Sequence, residues 1–246
     1  VLLIDNDPQS NTTQCLLSRE KYENFINDSK NFNILDIYRD RPSSSPSFVE
    51  GKQEIKTPKP SIKNSTIRVR VYSQSHLDLV PSTLRLMELH ESHVPRMEDR
   101  LKHFIDDVGG SYDYVIIDCP PTISPFTLSA YIACQAYLVP VKSDYLSGLG
   151  LLLLQVLMEK YEKAIRESRQ EIGVVFTLHQ NYPTPTEIHK SMSEALNKAG
   201  RYVFQNKVLH GTGINGAVEE QKMLFEYHGG QCSNRQGKQV QAITKE

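Results

Sequence analysis

Tryptophan is absent from the 246 residues, and neither sign of charge is in excess: 28 Lys and Arg stand against 29 Asp and Glu, a net charge of −1. No global field therefore draws the chain toward nucleic acid or a membrane surface, and any such contact has to come from a local patch. Cysteine is sparse. Cys15, Cys119, Cys134 and Cys232 are scattered without CxxC spacing, which argues against a zinc site or a disulfide framework and for a reducing cytoplasm. Long apolar runs are missing too: the longest, Leu149 to Leu154, is interrupted by Gly150 and ended by Gln155. A membrane span needs roughly 20 residues, so a cytoplasmic location without membrane insertion is expected. No signal-peptide pattern shows.

Several catalytic signatures are lacking as well. There is no GxSxG nucleophile elbow, and His90 and His93 in "HESH" have neither the general base nor the third ligand of a zinc protease. Gly211, Gly213 and Gly216 have GxGxxG spacing, but no strand bearing an acid follows, so this segment reads as a loop before a late helix. No glycine-rich phosphate loop occurs anywhere in the sequence.

What is present is an alternation of short β-rich runs with longer helical patterns, the signature of a mostly parallel sheet covered by helices on both faces. The length suits one large α/β domain or two small ones, and 39% hydrophobic residues are enough to build a sizeable core. Strands are expected at Val1 to Ile4, Ile67 to Tyr72, Tyr114 to Ile117, Ala136 to Val141 and Ile172 to Phe176, with a short one near Tyr202 to Val208. Between Thr83 and Val108 the apolar positions Val94, Met97, Leu101, Phe104, Ile105 and Val108 are spaced by three and four, which predicts one helical face. A second helix is expected from about Leu149 to Glu167; Lys160, Lys163 and Arg166 recur along its charged half. Residues 41 to 66 are rich in Pro, Ser and Lys and lack periodicity, which predicts a mobile insertion in an otherwise single domain spanning 1–246. From Gly51 to Tyr72 six Lys or Arg, Lys52, Lys56, Lys59 and Lys63 among them, face one acid, Glu54, so a phosphate-contacting arm is one reading and a solubilising loop the other.

The acidic residues fall at telling places. In open α/β sheets ligands sit at the carboxyl ends of parallel strands. "VLLIDNDPQSNTT" delivers Asp5 and Asp7 to such an end, and "YDYVIIDCPP" delivers Asp118 after an apolar run that Pro120 and Pro121 close. A carboxylate left unpaired in a core costs several kcal/mol. A cation resolves that cost, and Mg²⁺ carrying phosphates is the common solution.

These stretches resemble the ParA/Soj/MinD-like partition ATPases. "VLLIDNDPQSNTT" looks like the family's second motif, "YDYVIIDCPPTISPFTLSAYIACQAYLVPVKSDYLSGLGLLLL" like its Walker B region with the strand and helix that follow, and "LDLVPSTLRLMELHES" like its short strand ending in Pro-Ser. The resemblance implies a P-loop NTPase-like fold and Mg²⁺-dependent ATP hydrolysis. It further implies that Asp7 positions the attacking water, that Asp5 holds the Mg²⁺ shell, that Asp118 contacts the metal, that Pro8 and Gln9 belong to the same nucleotide loop, and that Thr177 lies on the adenine side. Expected partners are a second copy bound through ATP, DNA contacted nonspecifically through Lys52, Lys56, Lys59, Lys63, Lys160, Lys163 and Arg166, and a centromere-binding ParB-like protein, giving a nucleoid-associated location. The family's phosphate loop precedes "VLLID", so an upstream segment is expected to supply it, and these 246 residues alone are expected to be inactive. Two other readings remain: a non-catalytic truncated paralogue acting as a binding module, and a MinD-like cargo- or membrane-positioning ATPase. The few large apolar residues in "RQGKQVQAITKE" disfavour the membrane version.

Overall fold

The structure, a computed structural model, describes residues 1–39, 59–91, 96–180, 182–222 and 231–246. The chain divides into two compact units, Val1–Ala133 and Cys134–Glu246.

In the first unit the order is β1 (Leu2–Asp5), α1 (Asn11–Leu16), α2 (Arg19–Asn27), α3 (Ile34–Arg39), α4 (Ile62–Ser65), β2 (Ile67–Val71), β3 (His76–Val80), α5 (Glu88–Glu91), α6 (Met97–Val108), β4 (Val115–Asp118) and α7 (Pro125–Ala133). The strands form one sheet in the order β2-β3-β1-β4. β1 is parallel to both neighbours, while β2 runs antiparallel along β3 at the edge. Because successive side chains of a strand point to opposite faces, an apolar strand needs cover on both. Leu2 and Ile4 enter the larger core with Ile34, Tyr38, Leu101 and Phe126, whereas Leu3 packs on the other side with Leu16, Leu17 and Tyr22. The expected mostly parallel, doubly covered sheet is therefore present. In α6 the buried residues Met97, Leu101, Phe104 and Val108 form the predicted stripe; Val94 lies outside the described residues.

The strand β3 is the short strand ending in Pro-Ser that the resemblance implies; its residues alone did not show it, because "HLDLV" places a charge in a short run. The end of the 41–66 stretch has fixed structure: Asn64 Oδ1 accepts from Ser61 N (2.7 Å), Asn64 O accepts from Phe32 N (2.7 Å), and Ile62 packs on the core above fully buried Ser65. A single apolar anchor and one tethered turn offset the ordering cost there. Lys59 and Lys63 are exposed on this segment, while Lys52 and Lys56 lie outside the described residues.

The second unit contains β5 (Ala136–Lys142), α8 (Tyr145–Ile165), β6 (Gln170–Thr177), α9 (Pro183–Lys198), α10 (Thr212–Glu219) and α11 (Gln231–Ile243). β5 and β6 pair in parallel from Ala136↔Gln170 to Lys142↔Thr177. Val139, Val141, Val174 and Phe176 bury one face against Leu151 of α8 and Leu196 of α9. α8 starts where Asp144 accepts from Ser147 N (2.7 Å), an N-cap that satisfies a free helical donor. Gly173 is required: with φ 150° on it, an added Cβ would meet Tyr202 O at 2.9 Å. The strand expected near Tyr202 to Val208 is reduced to isolated bridges, Val174↔Val203 and His179↔Leu209. Gln205 N and Asn206 N are taken by Glu246, and Leu209 N by Gln239 Oε1, so the ladder does not extend. No helix among the described residues is long and apolar enough to cross a membrane.

His179, 2% exposed, and His189 of α9 stack edge to face with ring centroids 5.3 Å apart, and His189 meets Phe176 at 4.4 Å. Burial, then the charge of Lys207, holds both imidazoles below their ordinary range, His189 down to about 4. In the unfolded chain a histidine titrates near 6.5. Between about pH 6.5 and 4 the unfolded state thus binds the extra proton, and stability present at neutral pH is lost as pH falls. Urea unfolding at about pH 7 and pH 4 should show a loss on the order of 2 kcal/mol that is missing from His189→Gln. Equal losses in both proteins would contradict this assignment.

Candidate functional site

The site grows from the carboxyl ends of two adjacent strands. β1 and β4 pair in parallel with Asp5 opposite Asp118, so the pairing that buries the apolar residues also brings both acids to one rim. Asn6 N donates to Asp118 O (2.8 Å), carrying the alignment one residue further. The chain then turns through Asp7, Pro8 and Gln9 into α1.

Asp5 is fully buried. Its Oδ2 accepts from Thr13 N (2.7 Å) and Thr13 Oγ1 (2.6 Å), and its Oδ1 from Asp7 N (3.2 Å). Burial nevertheless holds its carboxyl above the usual carboxylate range, the three hydrogen bonds pulling the other way and the charge of Asp118 adding to the rise. Neither oxygen reaches solvent and both are engaged, so the residue ties the loop to the start of α1.

Asp7 is held from several sides. Its Oδ1 accepts from Gln9 N (2.9 Å), and its carbonyl accepts from Ser10 N (2.9 Å) and Ser82 Oγ (2.7 Å). Ser82 N donates in turn to Thr13 Oγ1 (2.9 Å), so one hydroxyl links the loop, the strand end and the "VPS" turn after β3. Among the described residues Asp7 Oδ2 accepts no hydrogen bond. Ser10 sits at φ 57°, the left-handed turn that lets the chain reverse into α1. Pro8 is buried and Gln9 exposed.

Asp118 is only partly buried, and its Oδ2 accepts from Thr12 Oγ1 (2.5 Å). Behind the rim, Asn6 donates from Nδ2 to Phe126 O (2.9 Å) and accepts from the Tyr38 hydroxyl (2.8 Å), which also lies 3.0 Å from Ser129 Oγ. Burial raises the Tyr38 phenol well above its ordinary value and keeps it a donor. Cys15 is likewise raised, by burial and then by the charges of Asp5 and Asp118.

The structure thus brings Asp5, Asp7, Pro8, Gln9 and Asp118 together. Thr177 closes β6 in the second unit, where Lys160 and Lys163 are exposed on α8 and Arg166 ends that helix at φ 56°. Thr12, Thr13, Ser82, Asn6 and Tyr38 were not anticipated; the adjacent threonines of "NTT" and the Pro-Ser turn were the available signals. The donors left at the rim, the Asp118 carboxylate with the Thr12 hydroxyl and the free Asp7 oxygen, are all hard oxygens of the type that suits Mg²⁺.

A mostly parallel sheet with helices on both faces and acids at adjacent strand ends is a doubly wound α/β arrangement whose ligand side is the rim that carries Asp5 and Asp118. The family model AAA_31, described as an AAA domain, matches residues 1–172, and the chain belongs to that family. It is 27% identical over 186 residues to the sporulation initiation inhibitor protein Soj of Bacillus subtilis, covering 72% of this chain and 60% of that protein. With the chromosome partitioning protein ParA of Caulobacter vibrioides the identity is 29% over 54% of this chain and 48% of the relative. The chain therefore spans between about half and three-fifths of these relatives. Among solved structures, an ATP complex of a McdA variant from Cyanothece matches with TM-score 0.74 at 18% identity, over 99% of this chain and 83% of the other. Cobyrinic acid a,c-diamide synthase of Mycobacterium smegmatis, with bound ADP and magnesium, matches with TM-score 0.61 at 19% identity, over 89% and 79%.

Proposed function

We propose that this chain forms the Walker B side and the water-positioning loop of a ParA-type partition ATPase, working with a phosphate loop that the 246 residues do not contain. The observation that carries this reading is the shared rim: Asp118 beside Asp5 on paired strands, Asp7 one turn away, and Thr12 and Thr13 locking both strand ends to α1. In the proposal, Asp118 and Thr12 hold the metal side, directly or through water. Asp7 presents its free oxygen to the attacking water and accepts its proton as the water oxygen bonds to the γ-phosphorus and the bond to the ADP leaving group breaks. Asp5 fixes the distance between the two by holding Asp7 N and Thr13 N. A bound Mg²⁺ ion would neutralise charge on the nucleotide phosphates. Thr177 is assigned to the adenine side on the family resemblance.

The partition role adds three elements: an ATP-bound pair of copies, nonspecific DNA contact, and a ParB-like stimulating partner in a nucleoid-associated cytoplasmic protein. Nucleotide shifts such a system by binding one conformation more tightly than the other. Lys160 and Lys163, three residues apart, are exposed, as are Lys59 and Lys63, four apart and nearer the start of the chain, and these are the proposed phosphate contacts. Replacing Lys160 and Lys163 by alanine should weaken binding to unrelated DNA sequences uniformly and make the salt slope shallower by about 2, the count expected from two lost contacts. Fluorescence anisotropy across a salt series reads both, and an unchanged slope would remove these residues from the interface.

A further inference from the structure

From Tyr145 to Met158 helix α8 carries no charged residue. One side of this stretch, with Leu151 and Leu154, packs on the core of the second unit. The opposite side is uncovered: Tyr145, Leu146, Leu149, Leu152, Leu153 and Val156 are 44% to 76% exposed. Residues three and four apart are neighbours on a helix surface, so the six form one continuous strip. A helix that is apolar all round is ordinarily covered all round. The usual solvent-facing pattern begins only at Glu159, where glutamate and lysine alternate through Lys163. The exposed area of the strip is on the order of 700 Å², more than the roughly 300–600 Å² of the largest apolar patch on a typical monomer and near the roughly 800 Å² per partner of a standard stable interface.

Gly150 lies at the edge of the same strip, and a Cβ added there would meet nothing within 4 Å. Glycine weakens a helix interior because its backbone loses the most entropy on ordering, and no contact among the described residues accounts for its presence here. A glycine on a helix face does allow a second backbone to come close. The spacing indicates what that second element is. Leu146, Leu149, Leu153 and Val156 follow one another by three, four and three residues, the a and d positions of a heptad seam, and such a seam is filled by another helix of the same pattern. Helix α8 is itself a helix of that pattern. The direction follows from charge. Along the helix the strip runs on into Lys160 and Lys163, which a parallel pairing would set against their own copies and an antiparallel pairing sets at opposite ends.

We propose that the α8 face is an interface with a second copy of this chain, the two helices packing antiparallel with Leu146 of one copy opposite Val156 of the other, Leu149 opposite Leu153, and the crossing beside Gly150. The contact is isologous, the same patch serving both copies. It needs no nucleotide, so it stands or falls separately from the ATP-bound pair proposed above. Sedimentation equilibrium of the whole chain, in EDTA and without nucleotide, tests it. A dimer with a Kd of about 10 µM or tighter is expected. Leu153→Glu places an unpaired charge in the seam and should weaken association by about 100-fold or more. Leu153 is 61% exposed in the single copy, so the variant should keep its fold, which circular dichroism checks. Mixing Leu149→Glu with Leu153→Lys reads the direction: the two variants together should associate about tenfold more tightly than either alone, because the antiparallel seam sets the new acid opposite the new base. A chain that stays monomeric at about 100 µM would overturn the proposal and leave the strip to a different protein. A dimer that Leu153→Glu does not weaken, or variants that gain nothing on mixing, would overturn it as well.

Discussion

Replacing Asp5 by alanine is expected to lower the stability of the chain by about 3 kcal/mol. The substitution strands Asp7 N, Thr13 N and the Thr13 hydroxyl in a region that water does not reach. A hydrogen bond to a charged group contributes roughly 1.5–3 kcal/mol. The sum of three is not recovered, because burial already penalises the ionised carboxyl and raises its pKa. The pH dependence follows from that direction. A folded-state pKa above the unfolded value of 3.8 means that the contribution of Asp5 is fully present below 3.8 and diminishes as pH rises through the folded value. The deficit of Asp5→Ala should therefore widen on acidification. Urea unfolding at two pH values reads both quantities, and a deficit under about 1 kcal/mol would show that the three donors find other partners.

The second large effect is expected at the rim. In the protein that provides the phosphate loop, Asp7→Ala should lower ATP turnover by about 100-fold or more, the usual scale for removing a general base. Nucleotide binding should persist, because Asp7 is assigned to the water and not to the phosphates. Asp118→Asn should act differently, raising the Mg²⁺ concentration needed for half-maximal turnover by about tenfold, since a neutral amide keeps the Thr12 hydrogen bond and loses the charge. Thr12→Val tests the same link from the other side and should share the Mg²⁺ phenotype. A common loss of binding in both aspartate variants would point to collapse of the loop instead, and circular dichroism separates that outcome.

The strand ends were readable because of a simple conflict: an apolar run such as "VIID" or "LLID" predicts burial, and an acid at its end must then be paired, capped or metal-bound. The sequence alone could not tell Asp5 from Asp118. Both follow apolar residues, yet one is sealed by Thr13 and the other opens beside Thr12, a difference set by how α1 lands on the sheet. Ser82 was hidden for the same reason, since its backbone N reaches Thr13 Oγ1 69 residues away and its hydroxyl reaches Asp7 O 75 residues away without any periodic trace. The Lys59 to Thr66 stretch misled through its composition: its fixed turn depends on the single apolar Ile62 and on Asn64, too little to register against the Pro and Lys around it. Near Tyr202 to Val208 the apolar run Tyr202–Phe204 suggested a strand, but Glu246 and Gln239 occupy backbone groups that a ladder would need.

The central claim is that Asp7 activates water beside a metal-bound nucleotide. Single-turnover ATP hydrolysis by the phosphate-loop-bearing protein, compared between wild type and Asp7→Ala with Mg²⁺ and with EDTA, tests it most directly. The account predicts rapid hydrolysis only for wild type with Mg²⁺, and bound but intact ATP in Asp7→Ala. Hydrolysis at the wild-type rate in Asp7→Ala, or in wild type with EDTA, would contradict it.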